Sequence, residues 1–366
     1  MKIKLKDRPD LILETVSGSA YDRGFQYGEK FKNSINNFVD IFLYGNDPLG
    51  FSNLSKDQVR KIGRKFAPFI EDYSSEIAEE MKGIAEGSGR TYEEIVVVNL
   101  MEERSYLNKE GCTGFGATGR ATLNGETYIG QNWDADIRSI KMKSVILIKE
   151  ERKNGPDILV YTYFGNVANA GMNSNGISVS WTSVPRLGFQ VGVPTYVIVA
   201  EILRQKRIGD AVEAVLRAKR AGCFQFFIAS ATEIYSIEAT PDDIDITYVD
   251  TCLGHANHYI SDKFKTRQDF SKLAQFYDRS NLGCTINRCN RMNRILNDNY
   301  GNIDLEICKT ALRDHVNYPY SICAHPIPEE KKTGVTYDSW IMIPAKREWW
   351  IARGPPCLNK YKKYKI

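Results

Sequence analysis

The sequence predicts a layered α+β protein, and the order of its predicted elements is the main reason. Helical patterns dominate before residue 104, β-rich segments separated by turn residues follow Gly111, and helical patterns return after residue 195. Strands and helices therefore occur in runs, without the regular β-α alternation that a doubly wound parallel sheet requires. No linker, repeat or low-complexity tract divides the 366 residues, so we expect one domain over residues 1–366.

The first long helices are predicted from their N-terminal caps. Ser55 with Gln58, and Thr91 with Glu94, have the spacing of a capping box. In such a box each side chain satisfies a backbone N–H that the helix itself leaves free. These caps predict helices that occupy residues 56–86 and 92–104.

Breaker and capping residues set the bounds of the other predicted helices. Pro68 is expected to interrupt the helix that begins after Ser55, because proline removes a backbone donor and clashes with the preceding turn. Asp210 is expected to cap a helix that Gly222 ends, at a position that favours positive φ. The later helices are predicted over residues 195–207, 211–221, 262–278, 285–299 and 304–314.

Composition excludes several classes of protein. Lysine and arginine number 49 against 45 acidic residues, without a long basic run, so nucleic acid is not an expected partner. No window approaches the roughly 18 apolar residues of a membrane span, and the N-terminus lacks the apolar stretch of a secretory signal. A cytoplasmic location is therefore expected. The eight cysteines are too sparse for a disulfide scaffold.

A hairpin is predicted directly after Cys112. Asn124-Gly125 lies between β-prone runs, and Asn-Gly is the strongest short-range signal for a two-residue hairpin turn. With that turn, Asp134 lies opposite Phe115 and within roughly 10 Å of Cys112. The predicted turn therefore places the carboxylate of Asp134 near the thiol of Cys112.

The glycines at 114, 116 and 119 match the dinucleotide-binding fingerprint in spacing alone. That fingerprint requires a helix after the glycines, whose N-terminus holds the pyrophosphate. Here a hairpin is predicted instead. We therefore expect turn and close-packing glycines and no nucleotide cofactor.

Cys112 is either a buried small apolar residue or a nucleophile, and a nucleophilic thiol needs a base. Cys112 could pair with a histidine only if folding brings distant parts of the chain together. The histidines all lie in the last third of the chain, at His255, His258, His315 and His325. A second source of base exists if the Gly111-Cys112 bond is cut. The new α-amine would have a pKa of about 7.7 to 8.0, close to that of the thiol beside it.

Gly111-Cys112-Thr113, followed by Gly130-Gln-Asn-Trp-Asp134, resembles the acyl-coenzyme A:isopenicillin N acyltransferase-like family of N-terminal nucleophile hydrolases. The resemblance continues over about residues 14 to 357. Other matching segments, in order, are Gly18–Gly28, Met81–Gly89, Gly171–Gly176, Gly254–Tyr259 and Trp349–Pro355.

The resemblance implies a four-layer αββα sandwich and self-cleavage before the cysteine. Residues 1–111 would form an N-terminal segment that stays associated, and residues 112–366 the catalytic segment. It makes Cys112 the nucleophile, Asp134 an orienting group and Asn257 a donor to the oxyanion. It also places Arg353 beside the site as a fixed positive charge.

The implied activity is transfer or hydrolysis of an acyl group at a linear non-peptide amide, through an acyl-Cys112 intermediate. A small-molecule acyl amide or thioester is the expected partner, and the sequence leaves a homo-oligomer open. No cofactor is expected. No metal is expected either, because His255 and His258 fall on opposite faces of a strand, and Cys284 and Cys289 are not neighbours on one helix face. Three alternatives stay open: a coenzyme A-dependent N-acyltransferase, a papain-like Cys-His enzyme and a non-catalytic binding protein with the same fold.

Overall fold

A computed structural model describes residues 4–45, 53–104, 111–137, 144–270, 279–327 and 334–366. Its helices are α1 (Ala20–Lys30), α2 (Lys32–Val39), α3 (Lys56–Tyr73), α4 (Ser75–Ser88), α5 (Tyr92–Val98), α6 (Met101–Arg104), α7 (Thr195–Arg204), α8 (Ile208–Leu216), α9 (Asp262–Lys265), α10 (Arg279–Asp298) and α11 (Leu305–Leu312). Its strands are β1 (Leu13–Gly18), β2 (Cys112–Gly119), β3 (Gly125–Asp136), β4 (Val145–Arg152), β5 (Ile158–Tyr163), β6 (Ala170–Asn173), β7 (Ser178–Ser183), β8 (Phe224–Ala229), β9 (Ile234–Ala239), β10 (Ile244–Tyr248), β11 (Cys252–His255), β12 (Gly334–Ile343), β13 (Glu348–Ala352) and β14 (Lys362–Lys365).

The described strands form two sheets that pack face to face. The larger sheet has the order β1-β4-β5-β6-β7-β8-β9-β10, and the smaller has the order β11-β2-β3-β12-β13-β14. Only the β1–β4 pair is parallel among the described strand pairs. Strands β2 and β3 contact β7 and β8 across the interface between the sheets.

Helices cover the outer face of each sheet. Helices α1, α7 and α8 contact the larger sheet, with α4 packed on α1, while α10 and α11 contact the smaller sheet. The order of layers is helix, sheet, sheet, helix. This arrangement confirms the αββα sandwich that the resemblance implies, and it places β2 and β3 at the centre of the molecule.

Aromatic side chains fill part of the interior between the sheets. Trp133 on β3 meets Tyr163 on β5 edge to face, with ring centroids 5.2 Å apart, and meets Tyr337 at 4.9 Å. Tyr161 contacts Trp340 with centroids 5.4 Å apart. Such pairs contribute roughly 0.5–1.5 kcal/mol beyond their buried area. The two pairs that cross between the sheets, Trp133–Tyr163 and Tyr161–Trp340, therefore hold the sheets in a fixed relation around β3.

The first two helices were not predicted from the sequence. Ser19 begins α1 with a capping box to Asp22, a signal that the chain does contain. Glycines then let α1 and α4 approach closely. A Cβ atom at Gly24 would lie 2.0 Å from the carbonyl oxygen of Glu80, and a Cβ atom at Gly87 would lie 2.3 Å from the carbonyl oxygen of Phe25. Any side chain at these glycines would push the two helices apart.

The expected interruption at Pro68 is wrong. Helix α3 runs through Pro68, and the break falls at Ser74 instead. Pro68 and the preceding turn at Arg64 face solvent, so water can satisfy the carbonyl that proline leaves without a donor. Burial of Phe66 and Ile70 on the opposite face keeps the helix continuous.

The expected helix over 211–221 is shifted, because α8 begins earlier and ends at Leu216. Asp210 lies in its first turn and pairs with Arg207, while Gly222 does not end the helix. Arg220 explains the early end. Its guanidinium donates to the Val215 carbonyl at 2.9 Å, and its backbone forms a bridge with the segment before α7.

The other predicted helices are present with different bounds. The capping boxes that begin α3 and α5 are confirmed. Of the helix expected over 262–278, α9 covers only the first turn, and residues 271–278 lie outside the described residues. Among the described helices, none combines the length and apolar character needed to cross a membrane.

Candidate active site

Cys112 is the first residue of β2 and lies inside the protein. Its side chain is 5% exposed and packs in the core between the sheets, on the same face as its cross-strand partner Trp133. The backbone N–H of Cys112 donates to Oδ1 of Asn257 at 2.8 Å. A cut before Cys112 would therefore leave β2 unbroken. The nitrogen of Cys112, the first in the strand, would remain hydrogen-bonded to Asn257.

The predicted hairpin between β2 and β3 is present, but its predicted register is wrong. Asp134 was expected opposite Phe115, whereas Gly130 pairs with Phe115 and Trp133 pairs with Cys112. Asp134 is therefore the next residue after the partner of Cys112. In the observed register the carboxylate of Asp134 is nearer to Cys112 than in the predicted register.

The shift in register has a tertiary cause. The connection does not turn over Asn124-Gly125 alone, because it docks on a distant part of the chain: the Leu123 N–H donates to the Ile303 carbonyl at 3.0 Å. No local sequence pattern reports such a contact. The glycines that match the dinucleotide fingerprint lie in β2, and the hairpin rather than a helix follows them, as predicted.

Asp134 is held from both its backbone and its side chain. Its N–H donates to the Gly111 carbonyl at 2.7 Å, and Thr336 donates its hydroxyl to Oδ1 at 2.8 Å. Burial raises the pKa of Asp134 from its ordinary value near 3.8 to about 7, against the opposing effects of Arg288, Thr336 and His325. The carboxyl group can therefore carry a proton in the neutral pH range.

Gly111 lies in a narrow space between two of these side chains. A Cβ at this position would come within 3.2 Å of Nη2 of Arg288 and within 3.3 Å of Oδ2 of Asp134. Both distances are tighter than ordinary van der Waals contact. The glycine before the cysteine is therefore required for space.

Asn257 follows β11 and is joined to Cys112 by its side chain. Oδ1 accepts from Cys112 N–H and also from Nη2 of Arg288, at 2.8 Å in each case. Nδ2 donates to the backbone oxygen of Ser183 at 3.0 Å and to its hydroxyl at 3.1 Å. To donate to an oxyanion, this amide would exchange one of its contacts with Ser183.

Arg288 on α10 belongs to the site, although it was not predicted from the sequence. Its Nη1 donates to the carbonyl of Cys112 and, at 2.8 Å, to Oγ1 of Thr113. Thr285, one turn earlier, accepts from the Asn257 N–H at 2.7 Å. Residues three apart share a helix face, so Thr285 and Arg288 in the predicted helix were the available signal.

Arg353 has Asp338, rather than Cys112, as its described partner. It pairs with Asp338, with Nε and Oδ1 3.1 Å apart, and the same carboxylate accepts from Tyr161. Strands β3 and β12 lie between β2 and β13, which Arg353 follows. The described contacts assign Arg353 to a buried ion pair with Asp338 on β12, two strands from β2 in the smaller sheet.

The histidines have described partners other than Cys112. His255 contacts Thr182 through Nδ1 and Glu238 through Nε2, both at 2.9 Å. His258 contacts Thr285, and burial lowers its pKa to about 4. The two remaining histidines lie beside Cys323 and Cys357, in a separate cluster near the surface, and are His315 and His325.

Two of the three residues predicted around Cys112, Asp134 and Asn257, thus converge on it, and Arg288 joins them. The peptide unit before Cys112 has its carbonyl oxygen held by a donor and its nitrogen held by an acceptor. Donors aimed at a carbonyl oxygen stabilise the negative charge that nucleophilic attack creates. The geometry suits attack at the Gly111 carbonyl and retention of the nitrogen that such attack releases.

The comparisons with solved structures are at low identity. A variant of the conjugated bile acid hydrolase from Clostridium perfringens is 15% identical, covers 70% of this chain and 97% of its own, and has a TM-score of 0.45. Penicillin V acylase from Agrobacterium tumefaciens is 9% identical, covers 66% of this chain and 83% of its own, and has a TM-score of 0.42.

The sequence comparisons extend over nearly the whole chain. The acyl-coenzyme A:6-aminopenicillanic-acid-acyltransferase 40 kDa form of Emericella nidulans is 23% identical over 349 residues, which are 93% of this chain and 92% of the relative. The profile of the acyl-coenzyme A:6-aminopenicillanic acid acyl-transferase family matches residues 121–356. Since this match covers more than half of the sequence, the chain belongs to that family.

Proposed function

We propose that the chain cuts itself before Cys112 and then uses Cys112 as an N-terminal nucleophile on a linear, non-peptide amide. The observation that carries the proposal is the pair of hydrogen bonds that holds the oxygen and the nitrogen of the Gly111-Cys112 peptide unit. Asp134 donates to its oxygen at 2.7 Å, and Asn257 accepts from its nitrogen at 2.8 Å. Membership of an acyltransferase family supports acyl chemistry at this centre.

The self-cleavage step follows from the same contacts. The Cys112 thiol passes its proton to the Asp134 carboxylate and attacks the Gly111 carbonyl carbon, and the Asp134 N–H stabilises the resulting oxyanion. The C–N bond then breaks, the nitrogen takes up a proton, and residue 111 is left as a thioester on Cys112. Asp134 can supply that proton, because burial raises its pKa to about 7. Water hydrolyses the thioester and frees the thiol.

In turnover the new α-amine is the base for its own thiol. Asn257 Oδ1, oriented by Arg288, keeps the amine in place, since the same oxygen already accepts from the Cys112 nitrogen. The thiolate attacks the substrate carbonyl, and Nδ2 of Asn257 turns from Ser183 to the oxyanion. The amine of the substrate leaves with a proton, and water or another amine resolves the acyl-Cys112 intermediate.

This scheme assigns an active role to the residues closest to the scissile bond. Cys112 is the nucleophile, Asp134 orients groups and supplies a proton, Asn257 binds the amine and the oxyanion, and Arg288 positions Asn257. Arg353 acts through its ion pair with Asp338, as a structural support. The mature protein would consist of residues 1–111, retained, and residues 112–366.

The acceptor of the acyl group distinguishes hydrolysis from transfer. The relative in Emericella nidulans is named as an acyltransferase that uses acyl-coenzyme A, and transfer is therefore the second candidate. We propose a small-molecule acyl amide or thioester as substrate and a cytoplasmic location. Product analysis with an acyl amide, in the presence and absence of an acceptor amine, separates the two activities.

Denaturing electrophoresis and N-terminal sequencing test the proposal. The wild type should give two bands that sum to 41.6 kDa, with Cys112 as the second N-terminus. Cys112→Ala should stay as one inactive chain, and Cys252→Ser is a control that should be cut normally. A single uncut wild-type chain that turns over substrate would reject the mechanism. A cut chain that forms no adduct with a thiol-directed electrophile would favour a binding protein.

A further inference from the structure

Four potential metal ligands from two segments of the chain converge at one point outside the active site. Cys323 is buried, His325 is half-buried, and His315 and Cys357 are exposed. Their ligand atoms, two imidazole nitrogens and two thiol sulfurs, all lie within 4.8 Å of one another. The cluster joins the loop after α11 to the C-terminal segment that follows β13.

Four of the six distances between the ligand atoms are close to the edges of a metal-centred tetrahedron. The two sulfurs are 3.6 Å apart, Nε2 of His325 lies 3.5 Å from the Cys323 sulfur and 3.3 Å from the Cys357 sulfur, and the two Nε2 atoms are 3.1 Å apart. Tetrahedral zinc with ordinary bond lengths requires roughly 3.8 Å between sulfurs, roughly 3.6 Å between sulfur and nitrogen, and roughly 3.3 Å between nitrogens.

Hydrogen bonding alone does not explain this convergence. Nε2 of His325 has three of the other ligand atoms within 3.5 Å, but an imidazole nitrogen carries at most one hydrogen. The sulfur atoms of Cys323 and Cys357 are also well beyond the roughly 2.05 Å of a disulfide. The four ligand atoms instead surround one position that a cation can occupy.

We propose that His315, Cys323, His325 and Cys357 bind one zinc ion as a structural Cys₂His₂ site. Two thiolates and two imidazoles are a ligand set that zinc favours, and two thiolates balance the charge of the ion. The protein supplies all four ligands, which leaves no position for substrate or water. The proposal is independent of the activity at Cys112 and opposes the expectation that the chain binds no metal.

The site would stabilise the wall of the candidate active site. Ala324, between two of the ligands, donates its N–H to Oγ1 of Thr336 at 2.9 Å and accepts from the Thr336 N–H at 3.1 Å. Thr336 in turn donates to Asp134. Zinc at the cluster would therefore fix the segment that positions the hydroxyl partner of Asp134.

Metal analysis of the full chain tests the proposal, with Zn²⁺ and Co²⁺ as the probes. Protein produced with Zn²⁺ should contain about one zinc per chain, and Co²⁺ in its place should give a thiolate-to-cobalt charge-transfer band and the intense visible bands of a tetrahedral site. Cys323→Ser and Cys357→Ser should each lower zinc retention at least about tenfold. Cys252→Ser, which removes a cysteine outside the cluster, should retain the metal.

Measurements on the wild-type protein alone can reject the proposal. The test therefore does not depend on whether the variants fold. Reduced wild-type protein that binds neither Zn²⁺ nor Co²⁺ at stoichiometric amounts would reject the site. So would freshly purified protein in which Cys323 and Cys357 resist alkylation until a reductant is added, because that result identifies a disulfide. Loss of zinc to a chelator should lower Tm in wild type and Cys252→Ser, and a Tm that does not move would argue against a structural ion.

Discussion

Thr336 holds Asp134 through a single hydrogen bond of 2.8 Å from its hydroxyl to Oδ1, inside a region that excludes water. The strength of this bond depends on the charge of the carboxyl group. A hydrogen bond to the ionised form lowers the pKa, whereas burial raises it. The pair therefore sets how readily Asp134 carries a proton next to the bond that is to be cut.

Thr336→Val should weaken the protein and move its pH profile. Removal of the hydroxyl leaves a buried carboxyl oxygen without this donor, which costs about 1–3 kcal/mol of unfolding free energy. The pKa of Asp134 should rise further, so the pH dependence of self-cleavage should shift to higher pH. Thr127→Val is the control, because Thr127 is a buried threonine of β3 that bonds to Ala231 and Thr118. An equal shift of pH profile in both variants would contradict the assignment.

Asp134 should make the uncut protein less stable as pH rises. Its pKa is raised from about 3.8 to about 7, so the folded state keeps a proton that the unfolded state has lost. The stabilising contribution is complete below about pH 4 and is lost as pH rises to about 7, by up to roughly 4 kcal/mol. Denaturant unfolding of Cys112→Ala against Cys112→Ala/Asp134→Asn isolates this effect, since neither chain can be cut. A difference that stays constant from pH 4 to 7 would rule it out.

Arg288→Lys should impair the reaction and leave the fold intact. Lysine keeps the charge but cannot reach the Cys112 carbonyl, Thr113 and Asn257 together, as the arginine does. We expect turnover to fall by about 10²- to 10³-fold, the usual loss when an oxyanion donor is disturbed. Arg294→Lys, on the exposed side of the same helix, should behave as wild type. Unchanged turnover in Arg288→Lys would remove Arg288 from the site.

Gly111→Ala should slow self-cleavage without blocking folding. The added methyl group would press on Arg288 and Asp134, at 3.2 and 3.3 Å, and displace the carbonyl from the Asp134 N–H. Overpacking of this kind costs about 1–3 kcal/mol, which corresponds to roughly 5- to 150-fold in rate if the transition state bears it. Gly209→Ala is the matched control, because a Cβ there meets nothing within 4 Å. Normal cleavage in both variants would show that space at residue 111 does not matter.

The sequence predicted those parts of the fold and site that local patterns encode. Capping boxes located the starts of α3 and α5, and the motifs around Cys112 identified the family, which the comparisons confirm. Family membership likewise confirms the expected class of enzyme, an acyltransferase or a hydrolase of non-peptide amides. These features depend on residues that are close together in the chain.

Features that depend on distant contacts were missed or misplaced. The hairpin register was wrong because Leu123 bonds to Ile303, and Arg288 was overlooked because its partners lie in β2 and after β11. The four proposed zinc ligands were not predicted for the same reason, since the spacing of His315 and Cys357 from the other two ligands along the chain matches no recognisable motif. Tertiary packing, rather than local preference, determines each of these positions.

Strand β1 has a consequence for what happens after the cut. It belongs to residues 1–111, yet it is hydrogen-bonded in parallel to β4 from the other segment, and Arg23 on α1 meets Glu150 of β4 at 3.3 Å. The two polypeptides would share one sheet and one interior. They should unfold as a single cooperative unit at one temperature and refold together or not at all, so that processing would create a heterodimer with no independently stable half.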